Sequence, residues 1–207
     1  MANRLIVIGL GPGHPDYILP VAVQKAKAVR FLIGSKRGLE TFPHVDGQER
    51  LSLSGKVEQM LEMIDKAWHK GSVGVLVSGD PGYYSLLDAM KVAWPERQIE
   101  VVPGIGSLAL AFCRVGIPWH DAVLCSFHGR KPEKSQIAYE AGKKIGFLTD
   151  PRQSPQEIGE ELINAGWPGN ATVWICENLT YPEEQVRSYE LINLPEFVSG
   201  PAVWVVY

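Results

Sequence analysis

Leu5-Ile6-Val7-Ile8-Gly9-Leu10-Gly11-Pro12-Gly13-His14-Pro15-Asp16 runs from a short, β-branched apolar stretch straight into a glycine-rich loop. An apolar run of this length, with no polar alternation, has the texture of a parallel strand buried on both faces. It is too short for the apolar core of a signal peptide and far too short to span a bilayer. The loop that ends it matters as much. Ligands of open parallel sheets bind outside the carboxyl ends of the strands, where glycines let ligand atoms approach the backbone. A dinucleotide fingerprint needs GxGxxG running into a helix; here the third glycine comes one place early and Pro12 interrupts the loop, and no GxxxxGK[ST] phosphate loop occurs. A plain tight turn between strand and helix accounts for the same residues.

Outward from this stretch the pattern repeats. Apolar runs of strand length recur at 29–33, 73–77 and 99–102, and stretches with helical spacing lie between them at 18–28, 56–69 and 84–93. In the second of these, Val57, Met60, Leu61, Ile64 and Trp68 share one face. Such alternation predicts a doubly wound sheet with helices on both faces. A further helix is expected over 105–115, closed by Gly116 and Pro118, and a second series follows: strand 122–126, helix 133–142, strand 145–148, helix 155–165, strand 172–176. Two more strands, at 187–192 and 202–207, have only a short link between them, which brings antiparallel pairs into the later sheet. The expected fold is α/β with two α/β domains. Residues 1–117 form an N-terminal domain with a doubly wound, mainly parallel sheet, and residues 118–207 a C-terminal domain with a mixed sheet.

Composition narrows the function. With 45% hydrophobic and 21% charged residues over 207 positions the chain is an ordinary globular one, and a formal net charge of −3 speaks against nucleic acid as a partner. Cys113, Cys125 and Cys176 are widely spaced with no CxxC pair, so neither a disulfide framework nor a zinc site is expected; all three read as small core hydrophobes in a reducing compartment. No protein-bound metal, no membrane contact and no targeting signal are expected, which reads as a cytoplasmic protein. Trp68 and Trp94 read as helix-face packing, and Trp119 either lines a site or packs a connector.

Two more loops follow apolar strands. In Ser78-Gly79-Asp80-Pro81-Gly82-Tyr83-Tyr84-Ser85, Gly79 allows close approach and Asp80 offers a carboxylate to a ligand; equally, Asp80 closes an Asx-turn or caps a helix while Tyr83 packs in the core. In Val102-Pro103-Gly104-Ile105-Gly106-Ser107, a turn is followed by a helix start with free backbone donors and a hydroxyl. Three such loops after three parallel strands converge on one sheet edge, which says more than any one of them.

The ordered set GLGPGHPD, SGDPGYYS and VPGIGS, in two α/β halves, resembles the tetrapyrrole (corrin and porphyrin) methylases over essentially the whole chain. Within that family, Ile33-Gly34-Ser35-Lys36-Arg37 and Ser126-Phe127-His128-Gly129-Arg130 are similar to the branch that methylates carbon 5. The resemblance implies S-adenosylmethionine as methyl donor, held by Pro12, Gly79, Asp80, Tyr83, Gly106 and Ser107 in the first half and by Leu148, Leu179 and Ala202 in the second. Gly106 departs from the Ser or Thr usual in relatives, which leaves Ser107 to supply a hydroxyl.

The implied acceptor is carbon 5 of cobalt-precorrin-7, a corrinoid tetrapyrrole with several carboxylates, for which Lys36, Arg37 and Arg130 are the candidate partners. Lys131 reads as solvated surface. Methyl transfer from a sulfonium needs alignment more than acid or base; His128 is the candidate helper for any proton change, and a surface turn explains it equally well. A homodimer, and a separate decarboxylating C15-methyltransferase as partner, are implied by the same resemblance. Another precorrin position, a non-tetrapyrrole acceptor and a non-catalytic nucleotide-binding module stay open.

Overall fold

The computed structural model describes residues 3–207, and in it the chain divides into two compact units, one ending at Gly106 and the other spanning Ser107–Tyr207. The first unit runs β1 (Leu5–Gly9), α1 (Pro20–Lys27), β2 (Phe31–Gly34), α2 (Lys36–Glu40), β3 (Glu49–Ser52), α3 (Val57–Trp68), β4 (Val73–Val77), α4 (Leu86–Ala93) and β5 (Ile99–Val102). Its strands lie in the order β3-β2-β4-β1-β5, every pair parallel. Strand residues alternate between faces. Leu5, Val7, Phe31, Val73 and Val75 pack with Ile64, Ala67 and Met90 of α3 and α4. Ile6, Ile8, Leu32 and Leu76 pack with Ala22, Ala26 and Leu39 of α1 and α2. Connections leaving β1 and β2 therefore cover one face and those leaving β3 and β4 the other. Since β1 and β4 are neighbours, the point where the winding reverses falls at their adjacent carboxyl ends.

The second unit contains α5 (Ser107–Val115), β6 (Val123–Ser126), α6 (Lys134–Ile137), β7 (Ile145–Leu148), α7 (Pro155–Asn164), β8 (Thr172–Glu177), β9 (Gln185–Glu190) and β10 (Ala202–Val206). Its sheet has the order β6-β7-β10-β8-β9, with β10 antiparallel to β7 and β8, β9 antiparallel to β8, and β6 parallel to β7. The ends of β6, β7 and β8 and the start of β10 thus share one edge. Phe127, Phe147 and Trp204 fill the core on one face with Ile158 and Leu162 of α7.

The division by contacts falls at 106/107, and α5 packs on β7, β8 and β10 of the second sheet; a Cβ on Gly146 would lie 2.6 Å from the Phe112 ring. Three expectations need correction. The strand β3 and helix α2 were not expected: β3 is a polar edge strand set by pairing with β2, and Arg50 on it donates to the carbonyls of Leu39 and Phe42, both at 3.1 Å, tying down the end of α2. The helix expected over 133–142 stops at Ile137, since Lys143 Nζ takes the Ser135 and Ala138 carbonyls and Tyr139 N–H bonds Ala165. Cys113 is exposed rather than buried; only Cys125 and Cys176 lie in the core, where burial pushes both thiols up to about 12. Trp68 and Trp94 do pack as helix-face residues, and they flank the Arg97 guanidinium, 4.1 and 4.5 Å from their ring centres.

Candidate functional site

In the first unit the three glycine-rich loops meet as main chain against main chain. Gly11 and Gly79 form a two-bond bridge, N–H to O at 3.2 and 2.8 Å, which joins the loops after β1 and β4 across the reversal point. The loop after β5 closes on both. A side chain at Gly104 would overlap the Gly79 carbonyl and come within 2.9 Å of the Gly9 carbonyl carbon, and one at Gly9 would sit 2.6 Å from Gly104 N. These contacts exclude any Cβ at Gly9 and Gly104.

Asp80 locks the arrangement. Its Oδ1 accepts from Gly82 N–H at 2.7 Å, the Asx-turn, and its Oδ2 accepts from Gly104 N–H at 3.1 Å, a link between loops that spacing alone did not show. Pro12, Asp80, Tyr83 and Gly106 are half-buried. Tyr83 meets Tyr84 edge to face at 4.6 Å, and Tyr84 holds a left-handed backbone at φ +48. Ser85 caps α4, accepting from Leu87 N–H at 3.1 Å.

A Cβ built at Gly79 meets nothing within 4 Å, and at Gly106 only Asp80 Cβ at 4.0 Å, so open space adjoins the loops where a ligand would contact backbone. Lys36 and Arg37 are exposed at the start of α2, just past the carboxyl end of β2, behind the Ser35 cap. Ser107 opens α5 in the second unit.

In the second unit, Leu148 ends β7, Ala202 starts β10 beside it, and Leu179 follows β8, so the three fall along one sheet edge. Leu179 and Ala202 are buried and Leu148 half-buried. Thr149 N and Oγ1 both donate to the Ala202 carbonyl, at 3.3 and 2.9 Å. His128 and Arg130 are exposed on the turn after β6. His128 Nδ1 lies 3.3 Å from the Thr149 carbonyl, an oxygen that can only accept a hydrogen bond. Lys131 pairs with Glu161 at 3.1 Å, consistent with a surface role.

Asp150, not picked out from the sequence, is the anchor of this edge. It is 6% exposed and accepts from Gly129 N–H, Arg152 N–H and both arms of the Arg152 guanidinium at 2.6–3.1 Å. The Arg152 guanidinium, aided by the two backbone donors, holds its carboxyl well below the usual range. The signal that could have found it is the repeated Asp-Pro after a strand, at Asp80-Pro81 and Asp150-Pro151. No group of three His, Cys, Asp or Glu side chains gathers among the described residues, and no helix among them is long and apolar enough to cross a membrane.

A family model described as Tetrapyrrole (Corrin/Porphyrin) Methylases matches residues 4–194. A cobalt-precorrin-7 C(5)-methyltransferase of Salmonella typhimurium is 33% identical over 183 residues, covering 88% of this chain and 89% of that protein. A decarboxylating precorrin-6Y C(5,15)-methyltransferase of a Sinorhizobium species is 27% identical over 186 residues, which are 89% of this chain and 44% of that protein. The fold is shared with the uroporphyrin-III C-methyl transferase of Thermus thermophilus complexed with S-adenyl homocysteine, at a TM-score of 0.76 and 21% identity, over 98% of this chain and 96% of that one.

Proposed function

Because the chain belongs to the tetrapyrrole (corrin/porphyrin) methylase family, we propose that it transfers a methyl group from S-adenosylmethionine to carbon 5 of cobalt-precorrin-7. It is a C-methyltransferase of cobalamin biosynthesis. The observation that carries the reading is 33% identity sustained over nearly the full length of a relative that bears that activity. The residues fit the donor: backbone rather than side chains faces the open space beside Gly79 and Gly106.

S-adenosylmethionine, when bound, supplies an electrophilic methyl group on a sulfonium. What the chain must add is alignment and exclusion of water, so no nucleophilic side chain is required. Pro12, Gly79, Asp80, Tyr83, Gly106, Ser107, Leu148, Leu179 and Ala202 are the residues of this reading for the donor. Asp80 keeps lone pairs beyond the two it gives to backbone, and these suit ligand hydroxyl or amine donors. Lys36, Arg37 and Arg130 bind substrate carboxylates, and His128 Nε2 takes up a proton released by the macrocycle. The chain works as a homodimer, with decarboxylation left to a separate C15-methylating protein; light scattering at the mass of one chain would remove the dimer.

The test is calorimetric titration with S-adenosylhomocysteine against NAD and ATP controls, then incubation of the enzyme with S-adenosylmethionine and cobalt-precorrin-7, with mass spectrometry and NMR locating the added methyl. Selective binding and a methyl at carbon 5 are expected. No selective binding to folded protein, or a methyl elsewhere, overturns the reading.

A further inference from the structure

Leu179 is flanked by two non-glycine residues in the left-handed region, Asn178 at φ +48 and Thr180 at φ +74. Asparagine tolerates that conformation; a β-branched threonine does not, and keeps it only where its surroundings over-determine it. Thr180 N–H donates to Glu184 Oε2 at 2.6 Å. Arg114 at the end of α5 grips the same carboxylate with Nε on Oε1 at 2.6 Å and a terminal nitrogen on Oε2 at 3.3 Å. On the other flank, Asn178 N–H donates to the Pro201 carbonyl at 3.0 Å and its side-chain amide to Ser199 at 3.2 Å.

The peptide so held makes no use of the strain within the fold. Neither the N–H nor the C=O of Leu179 has a hydrogen-bond partner among the described residues, although the residue is only 6% exposed. Backbone polar groups away from water are almost always paired, so an unpaired peptide in this position is suited to a ligand that completes its bonding. The Arg114 guanidinium, with Thr180 N–H, also holds the Glu184 carboxyl below its ordinary value.

We propose that the Arg114–Glu184 ion pair is a positioning clamp that holds Thr180 left-handed and thereby presents the Leu179 peptide to the methyl donor. The inference rests on the reading of the chain as an S-adenosylmethionine-dependent methylase. Arg114 and Glu184 touch neither donor nor acceptor; they act through the main chain. The arrangement also ties α5, which opens with Ser107 of the third glycine loop, to the end of β8.

The probe is S-adenosylhomocysteine, titrated calorimetrically into the full chain, with thermal unfolding measured in parallel. Arg114→Met and Glu184→Gln are each expected to weaken binding about tenfold, and the double variant no further, because both remove one clamp. Glycine takes positive φ without strain, so Thr180→Gly alone keeps the affinity and, combined with Glu184→Gln, restores most of it. A merely structural pair predicts otherwise: affinity untouched in the folded single variants, with only the melting temperature lowered.

Wild-type protein that binds, alongside clamp variants that bind equally well, overturns the proposal and leaves the methylase reading standing. Folded wild-type protein that does not bind overturns that reading, and the clamp with it. If the single variants fail to fold, the Thr180→Gly, Glu184→Gln protein decides: unstrained by design, it supports the clamp if it binds like wild type and refutes it if binding stays tenfold weaker.

Discussion

Asp80-Pro81 after β4 and Asp150-Pro151 after β7 are one device used in two units. In each, one carboxylate oxygen accepts from the backbone N–H two residues on, Gly82 at 2.7 Å or Arg152 at 3.0 Å. The other reaches a glycine N–H in the loop of a different strand, Gly104 or Gly129, both at 3.1 Å. The two turns differ in the residue at the second position after the aspartate. Glycine there brings no side chain, and Asp80 keeps capacity for a ligand. Arginine there folds its fork back onto the carboxylate and uses up the remaining acceptor sites of Asp150. The same turn is thus left open in the first unit and closed on itself in the second, and one side chain decides which.

The largest effect is expected where the first unit depends on bare backbone. Gly104→Ala sets a methyl against main-chain atoms of Gly79 and Gly9, and should cost more than about 3 kcal/mol in chemical denaturation and abolish S-adenosylhomocysteine binding. A variant that still binds would show that the loops yield. Asp80→Ala comes next: removing two hydrogen bonds to a charged acceptor should cost about 2 kcal/mol and weaken binding far more than Asp150→Ala does, since only Asp80 has acceptor sites to spare. Equal losses of binding would erase the distinction between the open and closed turns.

Arg152→Ala sharpens the comparison through pH. Asp150 has its carboxyl lowered chiefly by Arg152, so it stabilises the fold above its unfolded value of about 3.9 and loses that contribution as pH falls through the folded value. The gap in urea midpoint between wild type and Arg152→Ala should be present at pH 7 and shrink at pH 3; an equal gap at both would mean that Arg152 acts by packing alone. The smallest effects are expected at exposed cations. Arg37→Ala and Arg130→Ala should each raise the KM for the tetrapyrrole about threefold to tenfold and leave S-adenosylhomocysteine affinity unchanged. Unchanged KM in both removes them from the substrate site.

The two units were not equally legible in the sequence. The parallel strands β1 and β4 are continuous apolar runs, and β1, β4 and β5 each lead within two residues into glycine, so periodicity and turn chemistry point the same way, and the three loops with them. Strand β3 carries Glu49, Arg50 and Ser52 and exists only because β2 offers it an edge, which no local pattern reveals. In the second unit, the partners that shape the site are far apart in the chain. Arg114 and Glu184 are 70 residues apart, and Gly129 and Asp150 are 21 apart. Leu148, Leu179 and Ala202 were located by resemblance, and their common edge follows from β10 inserting between β7 and β8. An apolar helix such as 107–115 does not announce in its own residues which sheet it covers.

The meeting of Gly9, Gly79 and Gly104 has a consequence for how such a chain can change over generations. Where side chains touch, a large one can be traded against a small one, and the pair drifts together. Here the neighbours of a new methyl at Gly104 are a carbonyl oxygen, a carbonyl carbon and the Gly11 nitrogen, atoms that every amino acid carries. No compensating substitution exists at the other positions, so the three loops pass through descent as one character, inherited together or lost together. Specificity for a new acceptor must then arise at residues that line the loops, leaving the point where they touch as it was.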